Sequence, residues 1–298
     1  MKFIEYDPNY NYDDSDDEEM EDYSDDDYSE GEYSDDDDDT SWKVRRASVK
    51  VIRAFIISRP QFLGGFYGKC SSALIARFKE REDSVKLDIV NCYEDLLRAT
   101  TVVPKKTTES TSNGMNNDIL IQDDEMEAVI SETCKLLKNK KSSGKVRIAL
   151  FAMLQQLAIA TKSRLAKYFP SLIDNLVSAL KDRNGTLKLQ ALNFLRLTAQ
   201  EIPDEVVRKD IGALIDAVAP CVNEEWYKII SEALRVVSVF AQSLRPLSTD
   251  GMSFLEETSA SVDQYVGTLF HAAFKRFAEN DIDQEIKECS IIAMGDII

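Results

Sequence analysis

An apolar residue followed directly by a basic one recurs along this chain, and each such pair opens an apolar helical pattern. The six pairs are Val44/Arg45, Val85/Lys86, Val146/Arg147, Leu187/Lys188, Tyr227/Lys228 and Ile286/Lys287. Seven residues after the apolar member stand Val51, Cys92, Met153, Phe194, Leu234 and Ala293, and eleven residues after it stand Phe55, Leu96, Leu157, Thr198, Ser238 and Ile297. Offsets of 0, 7 and 11 lie on one face of an α-helix, so the pattern predicts a repeated amphipathic helix.

The spacing of these helices indicates the type of repeat. The pairs are 41, 61, 41, 40 and 59 residues apart, so two intervals contain an insertion. A second helical pattern lies between consecutive pairs. Its clearest example is the run Val262, Tyr265, Val266, Leu269, Phe270, Ala273, Phe274 and Phe277. A two-helix unit of about 41 residues is typical of HEAT repeats rather than of armadillo units or 34-residue repeats. The predicted fold is therefore all-α, a HEAT-repeat α-solenoid of antiparallel helix pairs.

The array is predicted to cover residues 40–298. It begins with a lone second helix at 42–57, whose apolar stripe comprises Val44, Ala47, Val51, Ile52 and Phe55. Helix pairs follow at 63–98, 124–160, 168–201, 208–244 and 261–298, with first helices at 63–79, 124–139, 168–181, 208–222 and 261–278. Polar, turn-forming composition predicts surface loops at 100–122 and 245–259. The final helix lacks a polar capping unit, so we expect further repeats to flank this section.

Residues 1–39 differ sharply in composition from the rest. The segment from Glu5 to Asp39 holds 20 acidic residues and no Lys or Arg. Because such charge density opposes collapse, we predict a disordered acidic insertion. It would serve as a spacer, as a competitor for basic partners such as histone tails, or as a phosphorylation target. The serines that have an acidic residue three positions later, as acid-directed kinases prefer, are Ser15, Ser24, Ser29 and Ser34.

Charge and hydropathy narrow the function classes. The net charge is -17, but residues 43–298 carry +2, from 35 basic and 33 acidic residues. This near-neutral balance disfavours nucleic-acid binding. No apolar run approaches the length of a bilayer span, and the N-terminus turns acidic too early for a signal peptide. Five scattered cysteines suit neither a disulfide framework nor a zinc motif. We expect a monomer of the cytoplasm and nucleus that binds no membrane.

Candidate catalytic chemistry is weak. His271, the only histidine, is predicted on the polar side of its helix, where an exposed bystander is the better interpretation than a general base. Cys92 and Cys289 fall on apolar helical positions and are predicted to be buried. No catalytic triad or phosphate-binding glycine loop is found. The sequence therefore predicts no enzyme, no catalytic residue, and no cofactor, metal or small-molecule substrate.

The basic residue that opens each second helix has two interpretations. Carboxylates stand six residues before it in four units, as Asp39, Glu80, Asp182 and Asp281. They favour a structural ladder, in which a turn carboxylate caps the helix and bridges to the basic side chain between repeats. The alternative is a basic surface for a partner. Candidate contact residues on the second helices are Arg46, Arg147 and Lys228.

Several strings of this sequence closely resemble one family. They are residues 7–14, which lead into the acidic tract, and residues 42–47, 73–82, 227–234 and 281–288. In this order they resemble the cullin-associated neddylation-dissociated protein family, with the chain similar to an early-to-middle section. The resemblance implies a HEAT superhelix that wraps around a cullin carrying its RING subunit. It also implies that the protein blocks the neddylation site and exchanges substrate adaptors in cullin-RING ubiquitin ligases.

Two alternatives remain open at this point. An importin-β-like nuclear transport receptor is also a HEAT solenoid with an acidic loop. An acidic histone-binding chaperone would depend on residues 5–39. A non-enzymatic regulator of cullin-RING ligases, which binds unneddylated cullin and promotes adaptor exchange, is the leading hypothesis.

Overall fold

The computed structural model describes residues 40–102, 121–139, 141–244, 255–279 and 283–298, and every regular element in these ranges is helical. The all-α prediction is therefore confirmed. The α-helices are α1 (Ser41–Ser58), α2 (Leu63–Phe66), α3 (Ser72–Ala76), α4 (Asp83–Val102), α5 (Asp123–Lys138), α6 (Gly144–Thr161), α7 (Phe169–Leu180), α8 (Gly185–Glu201), α9 (Asp204–Lys209), α10 (Ile211–Val218), α11 (Tyr227–Leu244), α12 (Leu255–Ala278) and α13 (Gln284–Ile297). The predicted segment 1–39 lies outside the described residues.

The helices pack as two layers. In the B layer, α1, α4, α6, α8, α11 and α13 contact one another in that order. In the A layer, α3, α5, α7, α10 and α12 do the same. Each B helix from α4 onward also packs against its own A helix, as α7 does on α8 and α12 on α13. This ordered stacking of helix pairs is that of a solenoid.

Polar contacts show that the B helices run parallel and in register. Arg46 and Arg53 of α1 pair with Asp88 and Asp95 of α4, with N–O distances of 2.8 and 2.5 Å. Each partner lies 42 residues further along the chain. The starts of the B helices therefore share one edge of the layer.

The fifth B helix, α11, departs from the predicted register by two residues. Gln155, nine residues after Val146, donates to Gln190, three residues after Leu187. In the next pair of helices, Arg196 is nine residues after Leu187 and bonds Glu232. Glu232 is three residues after Ile229, so Ile229 is the structural equivalent, at 2% exposure, while Tyr227 is 40% exposed. The corrected spacings are 41, 61, 41, 42 and 57 residues.

With this register, each interior B helix buries two apolar faces. Positions are counted from the apolar residue that opens each B helix, such as Val85 in α4. The first face comprises positions 0, 7 and 11, and the second comprises positions 5 and 12. Buried first-face residues are Val85, Cys92, Leu96, Val146, Met153, Leu157, Leu187, Phe194, Thr198, Ile229, Val236 and Phe240. Buried second-face residues are Val90, Leu97, Phe151, Ala158, Leu192, Ala199, Leu234 and Ala241. Since burying one Val, Leu or Phe side chain stabilises by about 1.5–3 kcal/mol, these contacts dominate the stability of the array.

The apolar stripe of α1 is exposed at its main positions. Val44, Val51 and Phe55 are 42%, 54% and 55% exposed. The helix instead buries Val49 and Ile56 on the side that meets α4. The stripe is the first face of α1, and no described residue covers it, because α1 has neither an A helix nor a preceding B helix among the described residues.

Four predicted segments also need correction. The helix predicted at 63–79 is interrupted by a π-helical turn at Tyr67–Ser71, beside the glycines at 64, 65 and 68, which lower helix propensity. The helix predicted at 208–222 is divided into α9 and α10, and a 3₁₀ segment with a proline follows at Ala219–Asn223. Residues 100–102 and 255–259, predicted within loops, belong to α4 and α12.

Candidate partner-binding face

An ion-pair ladder follows the edge on which the B helices begin. Arg45 of α1 donates to Glu80, in the turn that precedes α4, through Nε at 2.9 Å and Nη2 at 3.1 Å. Arg147 bonds Asp182 at 2.8 Å, and Lys188 bonds Glu224. Each cation therefore joins its own B helix to the turn of the following repeat, which confirms that these basic residues form a ladder between repeats.

The capping role predicted for the ladder carboxylates is wrong. The side chains of Ser143, Asn184 and Asp283 accept hydrogen bonds from the first N–H groups of α6, α8 and α13. Asp182 instead accepts the Asn184 N–H at 2.8 Å, within the turn. This hydrogen bond, together with the Arg147 guanidinium, lowers the pKa of Asp182 below its ordinary value. Asp39 and Asp281 lie outside the described residues.

Two cations depart from the ladder for a local reason. The turn that follows Lys86 carries Lys141 instead of a carboxylate, and Lys86 bonds Asp83 in its own helix at 3.2 Å. In α11 the ladder position is taken by Ile230, which is buried. Lys228 therefore projects as an exposed side chain. The two-residue change of register leaves this lysine outside the ladder.

The predicted contact residues have different environments. Arg46 is half-buried and paired with Asp88, and Arg147 is half-buried and paired with Asp182. Their charges already serve contacts between repeats. Lys228 is exposed, with Nζ 5.9 Å from the ring centroids of both Trp226 and Tyr227. The possible phosphorylation sites, Ser15, Ser24, Ser29 and Ser34, lie outside the described residues.

A cavity next to Lys228 escaped the sequence reasoning. It measures about 240 Å³ and lies where α8, α11 and α13 meet. Its lining residues are Leu189, Asn193, Tyr227, Lys228, Glu232, Arg235 and Glu285. Arg235 bonds Glu232 at 3.1 Å and Glu285 at 2.6 Å, so its position is fixed. Trp226 and Tyr227 next to the cavity are 37% and 40% exposed, which is high for large aromatic side chains.

The residues around this cavity suit protein recognition. Exposed Trp, Tyr and Arg side chains next to a small pocket are the types that dominate binding energy at protein interfaces. We call Trp226, Tyr227 and Lys228 the aromatic site. The sequence signal that could have found it is the Trp-Tyr pair at the start of a helix whose next residues, Ile229 and Ile230, already satisfy the core.

A larger cavity of about 530 Å³ lies between α3 and α5 in the A layer. Glu125 on its wall accepts the Tyr93 hydroxyl at 2.9 Å and the Ser71 hydroxyl, and burial raises the pKa of Glu125. Nearby, Tyr67 bonds Thr100 at 2.7 Å. These hydrogen bonds join A-layer residues to one another and to α4, so the cavity wall is a structural network.

The side chains considered for catalysis are placed as follows. His271 is exposed, and Cys92 and Cys289 are buried, as predicted. Burial raises the pKa of Cys92 to about 12 and of Cys221 to about 11, so both thiols stay protonated near neutral pH. In the described ranges no cluster of metal-ligating side chains is present. No described helix combines the length and apolar character needed to cross a bilayer.

The chain is similar to one group of curated proteins over its whole length. Cullin-associated NEDD8-dissociated protein 1 of Drosophila melanogaster is 33% identical over 303 residues, which cover 100% of this chain and 24% of the relative. Cullin-associated NEDD8-dissociated protein 1 of Arabidopsis thaliana is 36% identical, and the match covers 87% of this chain and 20% of the relative. Cullin-associated NEDD8-dissociated protein 2 of Mus musculus is 35% identical, and the match covers 100% of this chain and 24% of the relative. The chain thus spans about a quarter or less of the length of these relatives.

A family model described as CAND1-like, TPR repeats matches residues 163–294. Its description names tetratricopeptide repeats, whereas the 42-residue spacing of α8 and α11 in this region is that of HEAT repeats. Among solved structures, a designed armadillo repeat protein in complex with the peptide (KR)4 has a TM-score of 0.64 at 15% identity, covering 89% of this chain and 96% of that chain. The karyopherin Kap121p bound to the SUMO protease Ulp1p has a TM-score of 0.57 at 15% identity, covering 86% and 24%. These structures show the fold alone.

Proposed function

Because this chain belongs to the family of cullin-associated NEDD8-dissociated proteins, we propose that it is a non-enzymatic regulator of cullin-RING ubiquitin ligases. In this proposal it binds unneddylated cullin with its RING subunit, acts as a monomer in cytoplasm and nucleus, and promotes exchange of substrate adaptors. The observation that supports it is the similarity across the full chain to proteins named for cullin association. Since the chain spans a fraction of its relatives, its own share is one section of the binding surface.

We place the contact on the exposed side of the B layer. The A helices cover the opposite side of that layer, and neighbouring B helices cover both flanks. The remaining side presents a polar strip across successive repeats, formed by Arg53 with Asp95, Gln155 with Gln190, and Arg196 with Glu232. These internal pairs keep the strip rigid, and a rigid surface loses little entropy when a partner binds.

Within this side, the aromatic site is the proposed centre of affinity. Tyr227 and Lys228 line a cavity that can accept one partner side chain, and Arg235 is held in place by two glutamates. Arg46 is a secondary candidate, because its guanidinium is partly exposed while paired with Asp88. Arg147 contributes mainly through the ladder.

The test is binding of the purified chain to a purified cullin–RING complex, with and without covalently attached NEDD8, measured by biolayer interferometry. We expect binding to the unmodified complex and loss of binding to the modified one. The Drosophila relative serves as the positive control. Absence of binding under conditions in which that relative binds would overturn the proposal.

A matched pair of variants tests the aromatic site. W226A/Y227A should weaken cullin binding by about tenfold or more, as loss of interface aromatics usually does. The control F270A/F274A removes two exposed aromatic residues from the A layer and should leave affinity unchanged. If both pairs weaken binding equally, the contact does not lie on the exposed side of the B layer.

A further inference from the structure

The turns that lead into α6 and α8 carry an exposed basic cluster that no contact described above uses. Its five members, which we call the basic patch, are Lys138, Lys141, Lys145, Lys181 and Arg183, and all are exposed. Among the described residues none of them forms an ion pair. The patch differs in this respect from the ladder cations beside it, which are paired.

Local charge around the patch is almost entirely positive. Residues 138–147 contain no acidic residue, and residues 181–188 contain only Asp182, which is held by Arg147 and the Asn184 N–H. The turns on either side differ, since residues 80–83 hold three acidic residues and residues 224–225 hold two. The centre of this edge therefore carries unpaired positive charge, whereas Glu80, Asp83 and Glu224 on its flanks are paired with cations.

We propose that the basic patch is the docking site for this chain's own acidic segment, residues 5–39. The segment supplies 20 carboxylates and no cation, so its charge complements the patch. It ends at residue 39, immediately before Thr40 and α1. Because the B helices are parallel and in register, the start of α1 lies on the same edge as the patch.

The distance suits this assignment. Adjacent packed helices lie about 8–10 Å apart, so α6 and α8 begin roughly 20–30 Å from the start of α1. A segment of 35 residues can span at most about 115–125 Å when fully extended, so its length exceeds this separation several times. The segment therefore reaches the patch while α1 stays folded. Because the tether is covalent, its effective concentration at the patch is about millimolar, which compensates for weak individual contacts.

Zero-length coupling of carboxylates to amines tests the contact in the unmodified full chain. Dilute protein is treated with a carbodiimide, the monomer fraction is isolated, and the joined peptides are mapped by mass spectrometry. We expect carboxylates of residues 5–39 to couple with Lys138, Lys141, Lys145 and Lys181 in preference to Lys69 and Lys209, which are also exposed. High salt should abolish the preference. Equal coupling at all lysines, or coupling confined to a dimer fraction, would overturn the proposal.

A variant pair gives an independent readout. K141Q/K145Q/K181Q/R183Q removes four charges from the patch, and K50Q/R59Q/K69Q/K209Q removes four exposed charges elsewhere. Cleavage of residues 5–39 by a Glu-specific protease should be about fourfold faster in the patch variant, as expected for four weak surface contacts. The control should match the unmodified chain. Equal cleavage rates in the two variants contradict docking, and if the patch variant fails to fold, the coupling map decides.

Discussion

The same register positions are exposed in α1 and buried in α6. Val44, Val51 and Phe55 form the exposed first face of α1, whereas Val146, Met153 and Leu157 are fully buried in α6. The two helices have the same length and parallel neighbours. The difference is that α6 has helices on both sides, while within the described residues α1 has only α4 beside it. An apolar stripe thus predicts a surface that can be buried, and the neighbouring repeat determines whether it is.

The last helix shows the complementary case. Ile291 and Ile298 occupy the second face of α13 and are exposed, whereas the equivalent residues of α6, Phe151 and Ala158, are buried. The two end helices therefore expose opposite faces. Stability in such an array is a sum of repeat and neighbour terms, so the interior helices should carry most of it.

The largest expected effect comes from a buried rung of the ladder. The Arg45 and Glu80 side chains are only 4% and 1% exposed. E80Q removes the negative charge from one side of this buried ion pair, and breaking such a pair typically costs about 3–5 kcal/mol. Urea denaturation followed by circular dichroism measures this cost. The matched variant D182N, at a half-exposed rung, should cost about 1 kcal/mol or less, and equal costs would show that both rungs have the same environment.

A pair of identical substitutions isolates the effect of the neighbouring repeat. V146A removes two buried methyl groups from α6 and should lower the free energy of unfolding by about 2 kcal/mol. V44A makes the same change at the same register position in α1, where a surface substitution should cost less than about 0.5 kcal/mol. Both are measured by urea denaturation at one pH. A large cost for V44A would mean that the first face of α1 is covered in solution.

The smallest expected effect is a pH dependence at Asp182. Its pKa is lower in the folded chain, because the carboxylate accepts the Asn184 N–H and pairs with Arg147. Its contribution is therefore fully present above the ordinary value of 3.8 and is lost as the pH falls through the folded-state value. The difference in stability between the unmodified chain and D182N should vanish in that acidic range. A difference that persists there would assign the role of Asp182 to packing instead of charge.

The sequence predicted the architecture better than the details of the site. Offsets such as Val85, Cys92 and Leu96 are set by helix geometry, so the repeated helix and the solenoid could be inferred from periodicity. The two-residue slip in α11 could not, because Tyr227 followed by Lys228 imitates the pattern that Ile229 fulfils in three dimensions. The pairing of Arg196 with Glu232 and the burial of Ile229 reveal the true register.

The remaining misses have related causes. The exposure of the α1 stripe depends on a neighbour, which the sequence of one helix does not specify. The interruption of the helix predicted at 63–79 lies beside three glycines and includes Tyr67, whose hydroxyl bonds Thr100 of α4, a contact that one helix's sequence does not specify. The aromatic site was missed because Tyr227 was assigned to the core. Of the predicted contact residues, the ladder accounts for Arg147, and Lys228 stays a candidate on the exposed side of the B layer.

Amide hydrogen exchange of the full chain, resolved by helix, tests the in-register stack most directly. Amides open most slowly where flanking repeats bury both faces of a helix. We predict the slowest exchange in α6 and α8, and exchange faster by orders of magnitude in α1 and α13. Protection in α1 as strong as that in α6 would contradict the account, because it would require a covered first face at Val44, Val51 and Phe55.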